Sequence, residues 1–168
     1  INGSPVTDYS TTNSLFDAGV DSVTYADSID LYKGSQSTLW GPGAIGGAIN
    51  INTGGALEDS VTVKGGSNNT AGVGINYFTA QPSGIYSIKV FQETSDGYSI
   101  VEGGDADGYG YQTLNFDSTH HTNVGKIATT VVYRDSDAEL DGSGTDDTDY
   151  TSDSKFYFLQ ARYESDLF

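Results

Sequence analysis

Between Asp135 and Asp153 the chain carries eight carboxylates and no basic residue: Asp135, Asp137, Glu139, Asp141, Asp146, Asp147, Asp149 and Asp153. Oxygen ligands at this density on a glycine-containing stretch suit a hard divalent cation, because binding offsets their mutual repulsion. The run Asp137-x-Glu139-x-Asp141-Gly142 opens like an EF-hand loop, but Thr148 stands where the closing bidentate glutamate belongs and no flanking helices are predicted. An EF-hand is therefore not the expectation. Calcium in another geometry, held by Asp135, Asp137, Asp141, Asp146, Asp147 and Asp149, is the expectation to test, against the simpler reading of a solvated acidic loop.

Other chemistry is poorly supplied. The chain has no cysteine, which removes thiol nucleophiles, disulfides and cysteine-ligated metals. His120 and His121 are adjacent, so on a strand they point to opposite faces and cannot chelate one metal together. No Gly-x-Ser-x-Gly elbow is present and nothing singles out a carboxylate pair for glycoside cleavage. The expectation is a protein that is not an enzyme. A net charge of −16 leaves no basic surface for phosphates, so nucleic acid is not an expected partner.

Gly41-x-Gly43-x-x-Gly46 matches a dinucleotide fingerprint in letters only. That motif needs a strand before it and a helix after it, whereas Pro42 and Gly47 oppose a helix start and Ala48-Ile49-Asn50-Ile51 alternates like a strand. The stretch from Ser35 to Ile51 is apolar, almost uncharged and unsuited to a stable helix.

The elements that carry these residues read as strands. Twelve tyrosines, seven phenylalanines and 22 glycines with three prolines indicate a β-rich chain with many turns. Residues 28–34 form a short strand with Ile29 and Leu31 on one face and Asp30 and Tyr32 on the other, and 48–51 a second. After Thr53-Gly54-Gly55 the pattern changes to successive hairpins. Six strands follow: one in Ser60–Lys64, one with Val73, Ile75 and Tyr77 against Gly74, Asn76 and Phe78, one with Tyr86, Ile88 and Val90 against Ser87, Lys89 and Phe91, and one from Tyr109 to His120. The fifth sets Ile127, Thr129, Val131 and Tyr133 against Lys126, Ala128, Thr130, Val132 and Arg134, and the sixth sets Tyr157, Leu159, Ala161 and Tyr163 against Phe156, Phe158, Gln160 and Arg162. After the first pair the connections run short, long, short, long, as in outer-membrane barrels. The clean face would meet lipid and the mixed face, with Lys126, Arg134 and Arg162, the lumen. A soluble sandwich also has period-two strands.

The run Ser28-Ile29-Asp30-Leu31-Tyr32-Lys33-Gly34, continued by Ser35 to Gly41 and by Ala44-Ile45-Gly46-Gly47-Ala48-Ile49-Asn50-Ile51, resembles the end of the plug domain of TonB-dependent outer-membrane receptors. The family pattern there is approximately I-E-V-x-R-G-P-x-S-x-x-Y-G-x-x-A-I-G-G-x-I-N-I. Ile1-Asn2-Gly3-Ser4-Pro5 is similar to the family's earlier D-G-x-P turn, with Asn2 for Asp; Lys33 replaces Arg, Ser35 Pro and Trp40 Tyr. The resemblance implies an all-β fold with a partly α+β plug: the carboxy-terminal part of a plug domain in 1–54 and about six strands of a transmembrane antiparallel β-barrel in 55–168. It implies a fragment, since a plugged barrel of this kind has about 22 strands. Alone, such a piece is expected not to transport, because its sheet edges are unpaired.

The implied function is capture of a scarce nutrient, a siderophore-metal chelate or a cobalamin-like ligand, in the outer membrane of a Gram-negative bacterium. Passage would be energised by the TonB complex of the inner membrane acting on an amino-terminal box missing from this chain. Outer-membrane lipid and the small-molecule nutrient are the other partners. By the same resemblance Asp8, Tyr9 and Ser10 fall in a plug loop that meets substrate, and Trp40 and Pro42 at an apical turn where packing competes with ligand contact. The cobalamin-transporter branch has calcium-binding aspartates in comparable loops, and Ser95-Asp96-Gly97-Tyr98 is also similar to that branch. The competing expectation is a secreted, soluble calcium-binding β-domain for adhesion or carbohydrate contact.

Overall fold

The computed structural model describes residues 1–6, 26–55, 57–99, 101–141 and 150–165. Among them two antiparallel sheets form. The small one pairs β1 (Ser28–Lys33) with β2 (Gly47–Asn52), in a register that sets Ile29 opposite Ile51 and Leu31 opposite Ile49. The large one is a six-stranded meander of β3 (Ser60–Gly65), β4 (Ala71–Gln81), β5 (Gly84–Ser95), β6 (Tyr109–Thr122), β7 (Gly125–Glu139) and β8 (Thr151–Ser165), each strand paired with its sequence neighbour. No helix is long and apolar enough to cross a membrane among the described residues, which says nothing of strands.

Between β1 and β2 the chain makes one helical turn, α1 (Ser37–Trp40), and a 3₁₀ turn over Pro42–Ala44. The sequence reading allowed no helix here. A single turn forms because Gly41, at φ +87, ends it at once and Pro42 is pre-set for the first position of the next turn. The glycines then lead into strand β2 and not into a helix, so the dinucleotide geometry is absent.

Turn chemistry explains the meander. Asn68 and Asn69, at φ 54 and 52, take the left-handed conformation that asparagine tolerates best and close β3 on β4. The connections β4–β5 and β6–β7 have only two residues each, 82–83 and 123–124, and both deliver the chain into a glycine at positive φ, Gly84 at +153 and Gly125 at +152. A Cβ on either would lie 2.2 Å from Thr119 O or 2.1 Å from Glu164 O, so only glycine lets the next strand start so close to its neighbour. The strand ends that the longer connections 96–108 and 140–150 join lie at the opposite end of the sheet.

Strands β4 to β8 are longer than their periodicity alone indicated. Hydrogen-bonded pairing of β7 with β8 continues to Glu139 opposite Thr151, so Asp135, Asp137, Glu139 and Asp153 are strand residues and not loop residues. Alternation survives there because the carboxylates occupy one parity while Ser136 and Ala138 occupy the other.

The two faces of the large sheet differ in kind. Directly paired residues form rows across it. Val61, Ile75, Val90, Leu114, Tyr133 and Tyr157 make one row, and Tyr77, Ile88, Phe116, Val131 and Leu159 the next toward the two-residue turns. This face is open: Val63 is 80% and Leu159 74% exposed. The opposite face is covered in part by residues 1–6 and 26–55, and it is polar. Its rows read Thr62, Gly74, Phe91, Thr113, Arg134, Phe156; then Ser60, Asn76, Lys89, Asn115, Val132, Phe158; then Phe78, Ser87, Asp117, Thr130, Gln160. Asn115 is 0% and Arg134 1% exposed. The arrangement is the reverse of a water-soluble sheet, in which the apolar face is the buried one.

Candidate functional site: the covered polar face and its amino-terminal unit

The site is built around Asn2. Ile1-Asn2-Gly3-Ser4 is a tight turn closed by Ser4 N donating to Ile1 O at 2.9 Å, with Asn2 at φ 49 and Gly3 at φ 82, the pair of left-handed positions that an Asn-Gly sequence fills. The turn aims the Asn2 amide at the sheet. Its Nδ2 donates to Thr53 Oγ1 and to Thr130 Oγ1, both at 2.8 Å, and its Oδ1 accepts from Thr53 N at 2.9 Å. Both threonine hydroxyls then donate to Asp117 Oδ1 at 2.8 Å, while Asn115 Nδ2 donates to Asp117 Oδ2. One carboxylate thus collects three donors. An aspartate at position 2 has no N–H to give the two threonines and would face Asp117 across them, which accounts for the asparagine.

Two further contacts join the unit to the sheet: Gln160 Nε2 donates to Ser4 Oγ at 2.7 Å, and Asp27 Oδ1 pairs with Lys89 Nζ at 2.5 Å. Within the unit, Asp27 Oδ2 accepts from Gly55 N at 2.6 Å, which fixes the carboxylate for the lysine. Among the described residues apolar contact gathers in one patch, where Ile1, Ile51 and Val132 are buried with Val6, Ala26, Phe156 and Phe158 packed around them. Beside the polar row, toward the two-residue turns, lies a cavity of about 400 Å³ lined among others by Asn50, Ser87, Asp117, Thr119, Gln160 and Arg162.

Farther toward the long connections the covered face carries a second polar cluster. Glu93, almost fully buried, pairs with Lys64 Nζ at 2.6 Å and accepts from Tyr109 OH at 3.0 Å. The Tyr109, Tyr111 and Phe91 rings follow one another at centroid spacings of 6.4 and 5.9 Å, and Phe91 lies over Gly74, where a Cβ would meet the ring at 2.5 Å. Arg134 stacks on Phe156 at 5.0 Å.

The sequence-derived candidates are dispersed. Trp40 is half-buried, its ring centroid 5.8 Å from that of Tyr32; Pro42 is exposed at the start of the 3₁₀ turn. Asp8, Tyr9 and Ser10, and also Asp146, Asp147 and Asp149, lie outside the described residues. Asp135 and Asp137 sit on the open face of β7. Asp135 is engaged by Lys155 at 3.2 Å and by Tyr133 OH at 3.0 Å, and Asp137 is opposite Asp153. Asp141 follows at the end of β7, where Ser99 Oγ lies 3.4 Å from its Oδ2. A cavity of about 670 Å³ adjoins Asp135, Asp137, Glu139 and Asp153, yet no three His, Asp or Glu residues are grouped to hold a metal among the described residues. His120 and His121 do point to opposite faces of β6, and His120 Nδ1 lies 3.0 Å from Tyr86 OH.

Sequence reasoning missed Asn2, Asp27, Thr53, Lys89, Asp117, Thr130 and Gln160 as a set. The available signal was the Asn-Gly turn together with polar residues recurring on one strand parity, where a soluble sheet keeps its core. Compared with protein-family models, curated proteins and solved structures, the chain matches none.

Proposed function

We propose that the chain is part of a TonB-dependent outer-membrane receptor, with residues 1–54 belonging to its plug and β3 to β8 to its transmembrane barrel. The observation that carries this reading is the inverted sheet: apolar rows on the open face, polar and charged side chains on the covered one. In water such a contiguous apolar face is an aggregation liability. Against hydrocarbon it is matched, and the polar face becomes a lumen lining. The two apolar rows, about 6.7 Å apart along the strands, are followed toward the two-residue turns by a mixed row of Thr79, Tyr86, Ser118, Thr129 and Ala161 and by one that ends in Ile127 and Tyr163. Two-residue turns at one end and strand ends joined by long acidic connections at the other agree with periplasmic and extracellular sides. Strands β3 and β8 each have one partner among the described residues, so closure takes strands beyond these six.

On this reading the protein captures a scarce nutrient, a siderophore-metal chelate or a cobalamin-like ligand, and passes it inward when TonB rearranges the plug. The small sheet with its Trp40 turn and the polar seam around Asn2 are the parts that move. Uptake of labelled cobalamin and of a panel of ferric siderophores, by cells expressing the full-length protein with and without TonB, tests it. Accumulation of one of these that needs both proteins is expected. Recovery of the protein in the soluble fraction, with no TonB-dependent uptake, contradicts the proposal.

A further inference from the structure

The contacts between the amino-terminal unit and the sheet are ordered along the strands. On the side of the two-residue turns lies the 400 Å³ cavity; next comes the polar row Ser87, Asp117, Thr130 and Gln160; beyond it, toward the long connections, lies the apolar patch of Val132, Phe156 and Phe158 against Ile1, Ile51, Val6 and Ala26. These zones respond differently to water. A hydrogen bond beside a hydrated space exchanges a protein partner for water at small net cost, whereas separating apolar surfaces has no such compensation.

The cavity is polar and large enough for several waters. Ser87, 4% exposed, lines it with an Oγ that has no hydrogen-bond partner among the described residues. A buried hydroxyl in that position calls for water on the cavity side; Asn115 Oδ1, in the Val132 row, also has no hydrogen-bond partner among the described residues, so the difference between the zones rests on the apolar surface of the patch.

We infer that the amino-terminal unit leaves the sheet in a fixed order, opening first at the Asn2–Thr53–Asp117–Thr130 clasp from the cavity side while it stays hinged on the Ile51–Val132 patch. The ion pair Asp27–Lys89 is the lateral tether: Lys89 shares the Val132 row but lies on β5, away from the patch on β7 and β8, so it parts with the clasp and not with the hinge. A pull on the unit then widens the existing cavity into a polar passage on the two-residue-turn side. The role of this order in passage rests on the proposed transport function; the order itself does not.

Because the chain has no cysteine, single thiols report on each zone. Ser87→Cys marks the cavity side and Val132→Cys the patch, where Val132 is 1% exposed. Both are near-isosteric, and each is placed in the full-length, membrane-embedded protein and exposed to a water-soluble maleimide at increasing urea. The Ser87→Cys thiol is expected to become reactive at lower urea, at least tenfold faster than the Val132→Cys thiol at the same concentration. Adding Thr130→Val, which removes the clasp hydroxyl and keeps its shape, raises the Ser87→Cys rate severalfold and leaves the Val132→Cys rate unchanged. Simultaneous exposure of both thiols, or earlier exposure of Val132→Cys, overturns the inference. Uptake in the same cells is scored separately, so a protein that transports nothing but opens in this order refutes only the transport reading.

Discussion

The two faces of the large sheet are made from the same strands by the same alternation, yet each does what the other does in a soluble protein. On the open face, Val90, Leu114, Val131 and Leu159 are neighbours in space and stand exposed or half-exposed among the described residues. On the covered face, Asn115, Asp117, Thr130 and Arg134 are buried. Period two says that a strand has two faces and does not say which is inside. The polar face becomes the interior because its groups bind one another: Asp117 with three donors, Glu93 with Lys64 and Tyr109, Asp27 with Lys89. The apolar face has no such internal partners among the described residues, and on the proposed reading it meets lipid.

The comparison is broken most severely by a charge on the open face. In protein reconstituted into lipid, Val90→Arg is expected to cost about 2–4 kcal/mol, measured by urea unfolding from vesicles. The same substitution in a water-exposed sheet costs almost nothing, so a neutral result removes the lipid-facing assignment. On the covered face the sign is reversed, and Asn115→Leu, a gain in hydrophobicity, is expected to destabilise by about 1–3 kcal/mol because Asp117 Oδ2 loses a buried donor. Equal or greater stability of that variant contradicts the polar-interior account.

A packing test sharpens the picture without changing polarity. Gly74→Val meets the Phe91 ring and the Val90 carbonyl, at 2.5 and 3.1 Å from the added Cβ, and is expected to cost about 1–3 kcal/mol. Val73→Ala, one position away on the open face, is expected to cost less than half as much in the same unfolding measurement. The smallest effect belongs to the rim: Lys126, paired with Glu164 at 2.8 Å and 43% exposed, contributes less than about 1 kcal/mol, so Lys126→Gln shifts the unfolding midpoint barely, and less still at high salt.

Much of the fold was legible because strand signals are local. Gly84 and Gly125 mark the short hairpins, the Asn68-Asn69 pair marks another, and the parity of Ile127 to Arg134 survives intact in the structure. Strand ends were less legible. Asp135 to Glu139 read as loop because the carboxylates are polar, although their alternation with Ser136 and Ala138 already carried the strand onward. The candidate site was the least legible part. The Asn2 clasp joins residues up to 128 positions apart, and no spacing within one segment announces that Thr53, Asp117 and Thr130 will meet. Trp40, conspicuous in sequence, stands beside Tyr32.

The most direct test of the inverted sheet is a spin-label scan along β7 in lipid vesicles, with one cysteine at a time from Ile127 to Arg134, reading collision rates with lipid-dissolved oxygen and with a water-soluble nickel chelate. The account requires a period of two, with oxygen contact high at 127, 129, 131 and 133 and low at 128, 130, 132 and 134. Nickel contact at 127, 129, 131 and 133 equal to that of a label in open water, with no oxygen excess, would show the apolar rows facing solvent and contradict the membrane assignment.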